Sequence, residues 1–127
     1  MPVMWTYAQS TGRLSHDEQS FGECGYSGFE DGKNNPAKQD EPDLGPIPQG
    51  RYTIGPVEFE NTDGPHGPFV LPLIPDAGNE MFGRSGFLIH GDSLADPGNA
   101  SRGCIILPRE TREEMAQSGD FVLEVVA

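Results

Sequence analysis

A histidine and a cysteine dominate the chemistry that this sequence can support. His90 follows the short apolar run at residues 86–89, and Cys104 begins a second apolar run at residues 104–107. The residues between them are polar or small, which predicts a flexible connector between the ends of two strands. An imidazole that accepts the proton of a nearby thiol creates a thiolate, which attacks carbonyl carbons. The pair therefore predicts a nucleophilic cysteine with a histidine as its general base.

Such a pair needs supporting groups. A third group must fix the tautomer of His90, and either the carbonyl of a nearby residue or Asp92 is placed to do so. Backbone N–H groups near Gly103 and Cys104 are suited to stabilise an oxyanion, because glycine allows close approach of a substrate. Taken singly, a cysteine in an apolar run is usually a core residue, and a histidine after such a run is often structural. The joint pattern, His-Gly followed by Ser-x-Gly-Cys, favours catalysis.

Short strands are the elements that must position this pair. Alternating residues and a turn at residues 10–12 predict a hairpin over residues 4–16. β-Branched and aromatic residues predict further strands at residues 51–57, 69–74, 86–89 and 121–126. Pro72 restricts the second of these to an edge strand or a bulge. About six strands in a single mainly β domain over residues 1–127 are expected.

One helix is predicted directly after the second apolar run, over residues 108–119. Pro108 suits the first helical position, acidic residues occupy the N-terminal half, and Gly119 suits the end of the helix.

Two stretches predict loops. Residues 22–50 form a long connection for a small domain, which indicates a lid, a partner-binding surface or a decorated surface loop. Residues 61–68 form a cluster of turn residues that includes His66.

Charge and composition exclude several classes of function. The net charge is −12, and the eight lysines and arginines form no basic patch, so neither nucleic acid nor an anionic membrane surface is an expected partner. His16 and His66 lack metal-ligand spacing, and neither a metal nor another cofactor is expected. A disulfide between Cys24 and Cys104 would block a cysteine nucleophile, so we expect none in the active form.

The residues around the pair resemble a known family. The strand end at His90-Gly91 and the element from Ser101 to Ile105 resemble the catalytic signature of YkuD-type L,D-transpeptidases. Residues 45–55 resemble the Pro-x-Gly-x-Tyr-x-Ile strand of that family. The N-terminal hairpin and residues 79–93 resemble its branch of type VI secretion effectors that attack peptidoglycan. The resemblance implies a YkuD-like β-sandwich or barrel with one short helix after the catalytic cysteine.

The resemblance also implies roles for individual residues. Cys104 is similar to the family nucleophile, His90 to its general base, and Gly91 to the residue whose carbonyl orients the imidazole. The segment that shapes the oxyanion hole is matched by Ser101, Arg102 and Gly103. Many members have histidine at the position of Arg102; because arginine cannot act as a base, only charge stabilisation remains for it.

One departure concerns substrate binding. Many members carry an arginine two residues after the cysteine, where this chain has Ile106. A substrate carboxylate must then be bound elsewhere, and the candidates are Arg84, Arg102 and Arg109, each of which is equally compatible with ordinary surface charge. Asp92 is a further candidate at the substrate site.

Together these features imply a cysteine acyl-transfer enzyme that acts on peptidoglycan stem tetrapeptides. It would remove the terminal D-Ala as an L,D-carboxypeptidase, exchange it for another D-amino acid, or do both. The alternatives are a non-catalytic binding module of the same fold and a housekeeping L,D-transpeptidase that makes cross-links.

The N-terminal residues lack the features of a signal peptide. We therefore expect synthesis in the cytoplasm and delivery by type VI secretion machinery to the periplasm of target bacteria. The resemblance further implies a cognate immunity protein, and we expect a monomer.

Overall fold

The computed structural model describes residues 4–58 and 69–127. Within these residues the chain forms strands, two single 3₁₀ turns (Glu30–Gly32 and Pro36–Lys38) and an α-helix, α1 (Arg109–Gln117). The strands are β1 (Trp5–Ala8), β2 (Leu14–His16), β3 (Gln19–Ser20), β4 (Tyr26–Ser27), β5 (Gly50–Ile54), β6 (Leu71–Pro75), β7 (Leu88–His90), β8 (Ile105–Ile106) and β9 (Val122–Val126). The predicted mainly β class, with one helix after the cysteine, is confirmed.

The strands form one curled sheet in the order β3-β2-β1-β9-β5-β6-β7-β8-β4. The pairs β1–β9 and β7–β8 are parallel, and the other pairs are antiparallel. The predicted hairpin is present as β1 and β2, and Gly12 in its turn has a φ of 72° that favours glycine. The connector at residues 91–104 joins the parallel strands β7 and β8, so both ends of this connector lie at neighbouring strands.

A single hydrophobic core covers the inner face of the sheet. Alternate residues of the strands point into it, and α1 adds Met115, which is fully buried. The large apolar side chains that are fully buried in it include Trp5, Tyr7, Leu14, Ile47, Tyr52, Leu71, Ile89, Ile105, Leu107 and Leu123. This core fixes the ends of β7 and β8, because Ile89 and Ile105 anchor the two strands side by side.

Pro72 does not mark an edge strand, contrary to the sequence expectation. β6 is a central strand that pairs with both β5 and β7. Pro72 is tolerated because, on the β5 side, its carbonyl oxygen accepts a hydrogen bond from the Gly55 N–H at 2.8 Å, which requires no N–H of the proline.

The predicted helix is also shorter than expected. Pro108 occupies the N-cap with extended backbone (φ −60°, ψ 154°) rather than the first helical position. Gly119 follows the helix with a φ of 80°, as its predicted role at the helix end requires.

Several short elements were missed by the sequence analysis. The stretch at residues 22–50 contains β4 and both 3₁₀ turns, and β3 and β4 contain only two residues each. The predicted turn cluster at residues 61–68, with His66, lies outside the described residues. None of the described helices is long and apolar enough to cross a membrane.

Candidate active site

The pairing of β7 with β8 brings His90 and Cys104 to neighbouring strands. Ile89 pairs with Ile105 and His90 with Ile106, and Cys104 directly precedes β8. The Cys104 Sγ accepts a hydrogen bond from the backbone N–H of Leu88 at 3.4 Å. The sulfur therefore lies against the strand that carries His90, two residues before the histidine.

The His90 ring is held by a backbone carbonyl. Its Nδ1 lies 2.9 Å from the carbonyl oxygen of Gly91, and the side chain is only 2 % exposed. A carbonyl only accepts hydrogen bonds, so Nδ1 carries the proton of the neutral ring and Nε2 carries the lone pair. Of the two groups considered for fixing the tautomer, the carbonyl is the one that does so, and Asp92 has other partners.

The environment of Cys104 favours the protonated thiol. Burial raises the pKa of the thiol, while the Leu88 N–H and the positive charge of Arg84 lower it and offset only part of the rise. The sulfur therefore needs a base to become a nucleophile near neutral pH. Both cysteines are free thiols, with Cys24 exposed and Cys104 partly buried.

Ser101 fixes the backbone around the cysteine. Its fully buried hydroxyl donates to the carbonyl of Cys104 at 2.6 Å and accepts from the N–H groups of Gly28 at 2.8 Å and Gly103 at 3.0 Å. The hydrogen-bonding capacity of this hydroxyl is thereby used within the protein. The N–H of Gly103, expected from the sequence to face an oxyanion, donates to Ser101 instead.

Gly103 is required for a contact inside the protein. Its φ is 135°, and a Cβ at this position would lie 2.5 Å from Nη2 of Arg84 and 2.8 Å from the Phe87 ring. Glycine at this position therefore admits the Arg84 guanidinium, and the approach of a substrate to Gly103 stays a prediction.

The long stretch at residues 22–50 forms hydrogen bonds that support the cysteine segment, residues 101–103. The hydroxyl of Ser27 donates to the carbonyl of Gly103 at 2.8 Å and accepts from the N–H of Ile47 at 2.9 Å. Further along the stretch, carbonyl oxygens of residues 39–46 accept hydrogen bonds from Arg84. These contacts make the stretch a structural support for residues 101–103.

The three candidate arginines have different surroundings. Arg84 is 8 % exposed, and its terminal nitrogens donate to four main-chain carbonyls, including that of Arg102. Arg109 lies 3.3 Å from the Glu113 carboxylate, and its guanidinium stacks over the Phe69 ring. Arg102 is exposed.

Arg102 stands between two cavities. Its guanidinium lies 4.0 Å from the centre of the Phe29 ring. A cavity of about 310 Å³ on one side is lined by His90, Gly91, Asp92, Ser93, Asn99, Ala100 and Arg102. A cavity of about 210 Å³ on the other side is lined by Pro42, Asp43, Gly83, Arg84, Ser85, Phe87 and Arg102. Of the three arginines, Arg102 is the one that shares a cavity with His90.

Asp92 organises the connector. Its carboxylate accepts hydrogen bonds from the Tyr26 hydroxyl at 2.6 Å and from the N–H groups of Ser93 and Gly98. Burial raises the pKa of Asp92, but these hydrogen bonds outweigh it, and the pKa lies below its usual range. Burial and the same carboxylate raise the pKa of Tyr26 to about 12. Asp92 therefore shapes the wall of the cavity that contains His90.

Arg112 is a buried residue that the sequence analysis missed. Its side chain is 5 % exposed and donates to the carbonyls of Leu107 at 3.1 Å and Phe69 at 2.6 Å. A Cβ at Gly91 would lie 2.7 Å from Nη2 of Arg112, so glycine is required beside His90. The helical spacing could have indicated this burial, because positions 111, 112 and 115 lie on one face of a helix. All three residues are buried in the structure.

Across residues 4–58 and 69–127, no group of three or more His, Cys, Asp or Glu side chains is arranged to hold a metal ion.

The comparisons with known proteins identify the family of this site. The sequence profile of the Tlde1 domain matches residues 22–121. The chain belongs to the Tlde1 domain family. This family is a type VI effector branch of the L,D-transpeptidase-like proteins, as the sequence resemblance implied.

Solved structures share the fold of the Tlde1 chain. The Ldtfm–avibactam carbamoyl enzyme is 14 % identical with a TM-score of 0.61, and the match covers 100 % of this chain and 49 % of that one. A cysteine-to-serine mutant of Enterococcus faecium L,D-transpeptidase is 15 % identical with a TM-score of 0.56, covering 98 % and 50 %. An L,D-transpeptidase from Mycobacterium tuberculosis H37Rv is 22 % identical with a TM-score of 0.53, covering 98 % and 57 %.

The chain thus spans about half the length of the solved proteins that it resembles. At these identities the likeness establishes the YkuD-like L,D-transpeptidase fold. The comparison with curated proteins gave no match.

Proposed function

We propose that this Tlde1 domain is a cysteine acyl-transfer enzyme that acts on peptidoglycan stem tetrapeptides. The observation that carries the proposal is the placement of the Cys104 sulfur against β7, together with a His90 ring whose Nδ1 is held by the carbonyl of Gly91. Nε2 is then the basic nitrogen, and a base is needed because burial disfavours the thiolate.

The first half of the reaction forms a thioester. His90 Nε2 takes the proton from the Cys104 thiol, and the sulfur attacks the carbonyl that joins the third residue of the stem, diaminopimelate in Gram-negative walls, to D-Ala. The oxyanion accepts a hydrogen bond from the backbone N–H of Cys104, since the N–H of Gly103 is already bonded to Ser101. The C–N bond breaks as His90 returns its proton to the D-Ala amine, which leaves.

The second half regenerates the free thiol. His90 removes a proton from water, which attacks the thioester carbonyl, and the Cys104 sulfur leaves and is reprotonated. This sequence gives an L,D-carboxypeptidase. A free D-amino acid that attacks in place of water gives exchange of the terminal residue by the same acyl-enzyme.

Membership of the family supports a biological setting. As a member of a type VI effector family, the protein would be made in the cytoplasm, delivered by the secretion machinery and act in the periplasm of a rival bacterium. There it would deplete the substrate for cross-linking, and the producing cell would need an immunity protein. We propose that residues 1–127 act as one catalytic domain and as a monomer.

Incubation with a purified tetrapeptide muropeptide, analysed by mass spectrometry under reducing conditions, tests the chemistry. The expected result is a product shortened by D-Ala, and its absence with Cys104→Ala. Adding a second D-amino acid measures exchange. Retention of D-Ala by the unaltered protein would favour a non-catalytic binding module, and formation of cross-linked dimers would favour a housekeeping transpeptidase.

A further inference from the structure

The buried guanidinium of Arg84 lies next to the backbone that precedes Cys104, and it has no role in the acyl-transfer reaction proposed above. Nη1 of Arg84 donates to the carbonyls of Gln39 at 2.6 Å and Pro46 at 2.8 Å. Nη2 donates to the carbonyls of Gly45 at 3.0 Å and Arg102 at 3.3 Å. All four acceptors are neutral main-chain oxygens, so the guanidinium is fully oriented while none of these bonds cancels its charge.

The guanidinium lies directly behind the peptide that precedes the nucleophile. Nη2 contacts the carbonyl of Arg102 and would be 2.5 Å from a Cβ at Gly103, whose glycine backbone leaves room for it. The Phe87 ring covers the guanidinium with its centre 5.2 Å away. One side chain thus fastens residues 39–46 to the peptide next to Cys104.

We infer that Arg84 is a positioning residue for the nucleophile, which holds the 102–103 peptide in place and favours the thiolate of Cys104 with its fixed positive charge. The inference rests on the proposed nucleophilic role of Cys104. It replaces the substrate-carboxylate role considered for Arg84 in the sequence, because the terminal N–H groups are already bonded inside the protein.

The electrostatic half of this role follows from burial. Water normally screens a guanidinium, but Arg84 is almost fully enclosed, so its field acts on the sulfur through a medium of lower dielectric constant. Burial lowers the pKa of Arg84 itself, yet a guanidinium remains charged at neutral pH. The charge of Arg84 acts on the Cys104 thiol in the direction that lowers its pKa and opposes the effect of burial.

Other charged and titratable groups surround this pair. They are Asp40 and Asp43 from the supporting stretch, Tyr52 from β5, His90 from β7 and Arg102 from the cysteine segment. Carboxylates and guanidinium groups stay ionised from neutral to alkaline pH. Burial raises the pKa of Tyr52, which keeps it neutral there. His90 is present in the parent and in every Arg84 variant, so a difference between their midpoints reports the effect of Arg84 on Cys104.

The test measures the pH dependence of alkylation of Cys104 by iodoacetamide, in a Cys24→Ser background, with the modified peptide quantified by mass spectrometry. Arg84→Gln removes the charge and keeps a polar side chain. We expect its alkylation midpoint to rise by about one pH unit, and its kcat on tetrapeptide to fall more than its KM rises. Arg51→Gln, an exposed arginine on β5, is the matched control and should keep the parent midpoint.

Arg84→Lys separates the effect of the positive charge from the effect of the hydrogen bonds to the four carbonyls. It keeps a positive charge but not the planar group that reaches four carbonyls, so its midpoint should stay near that of the parent while kcat falls. If Arg84→Gln does not fold, Arg84→Lys decides the question. An unchanged kcat in Arg84→Lys overturns the positioning of the 102–103 peptide by the four hydrogen bonds. An alkylation midpoint raised by a full pH unit overturns the charge effect. An unchanged midpoint in folded Arg84→Gln, with only a lower Tm, overturns the inference as a whole.

The alkylation midpoints do not depend on the proposed reaction. Failure of the parent protein to release D-Ala would overturn the proposed function, whereas the alkylation midpoints would still report the effect of Arg84 on the thiol.

Discussion

The two sides of the candidate active site are built differently. The cysteine segment at residues 101–103 is held from behind by buried groups, with Ser101 fully enclosed and Arg84 joined to four carbonyls. The part of the connector at residues 92–100 is largely exposed, and it is held by hydrogen bonds to Asp92, Ser93, Asp96 and the Tyr26 hydroxyl. The fold therefore holds the backbone beside the proposed nucleophile with buried hydrogen bonds, and it holds the cavity wall with mostly exposed ones. Chemistry should be sensitive to changes in the buried groups beside Cys104, and recognition to changes in the exposed groups that line the cavities, Arg102 among them.

The largest effect is expected from the reacting pair. Cys104→Ala removes the nucleophile and should lower D-Ala release at least about 10³-fold. His90→Ala removes the base and should cost about 10²–10⁴-fold in kcat, with thioester formation lost in single-turnover assays. Circular dichroism should show both variants folded. Residual release above about a tenth of the parent rate in Cys104→Ala would contradict a covalent mechanism.

Ser101→Ala tests the rigidity of the cysteine side. The change leaves the buried N–H groups of Gly28 and Gly103 without their acceptor, so the free energy of unfolding should fall by about 1–3 kcal/mol. Because the carbonyl of Cys104 also loses its donor, kcat should fall in the same variant. Urea denaturation and tetrapeptide turnover measure the two effects.

Ser93→Ala is the matched stability control on the connector. The hydroxyl of Ser93 also accepts a backbone N–H, from Asp96, but at an exposed position. Its removal should change the unfolding free energy by no more than about 0.5 kcal/mol. Equal losses in the two serine variants would contradict the contrast between the two sides.

Arg102→Gln addresses recognition where the two cavities meet. A carboxylate of the stem peptide bound by this exposed guanidinium would lose a charge-assisted hydrogen bond, so KM should rise about tenfold with a smaller change in kcat. The rise should shrink at high salt, since the site is open to solvent. Arg51→Gln should leave KM unchanged, and a larger effect from Arg109→Gln than from Arg102→Gln would assign the carboxylate to α1 instead.

The sequence singles out a candidate reacting pair because the two residues carry their own chemistry and stand at the ends of apolar runs. His90, Cys104 and the mainly β class follow from that pattern. The role of Arg84 does not, because its partners are main-chain carbonyls of residues 39–46 and 102, and a carbonyl is the same in every residue. The strands β3 and β4 were missed for a related reason: two residues are too few to show a periodicity.

The smallest effect is expected from Asp92→Asn on the connector. The change weakens the hydrogen bond from Tyr26, so the pKa of Tyr26 should fall from about 12 part of the way towards 10.0, since burial, the larger cause of the rise, remains. Spectrophotometric titration measures this shift, and Tyr26→Phe identifies the transition.

The difference in stability between the parent and Asp92→Asn should depend on pH. The folded-state pKa of Asp92 is depressed, so its contribution to stability is present above the unfolded-state pKa and is lost as the pH falls through the lower folded-state value. The difference in stability between the parent and Asp92→Asn should therefore be largest near neutral pH and shrink in acid. Because the cysteine segment does not depend on this carboxylate, the kcat of Asp92→Asn should stay within about twofold of the parent, an effect at the scale of a surface substitution. A loss of kcat as large as that in Ser101→Ala would mean that the connector, too, positions the nucleophile.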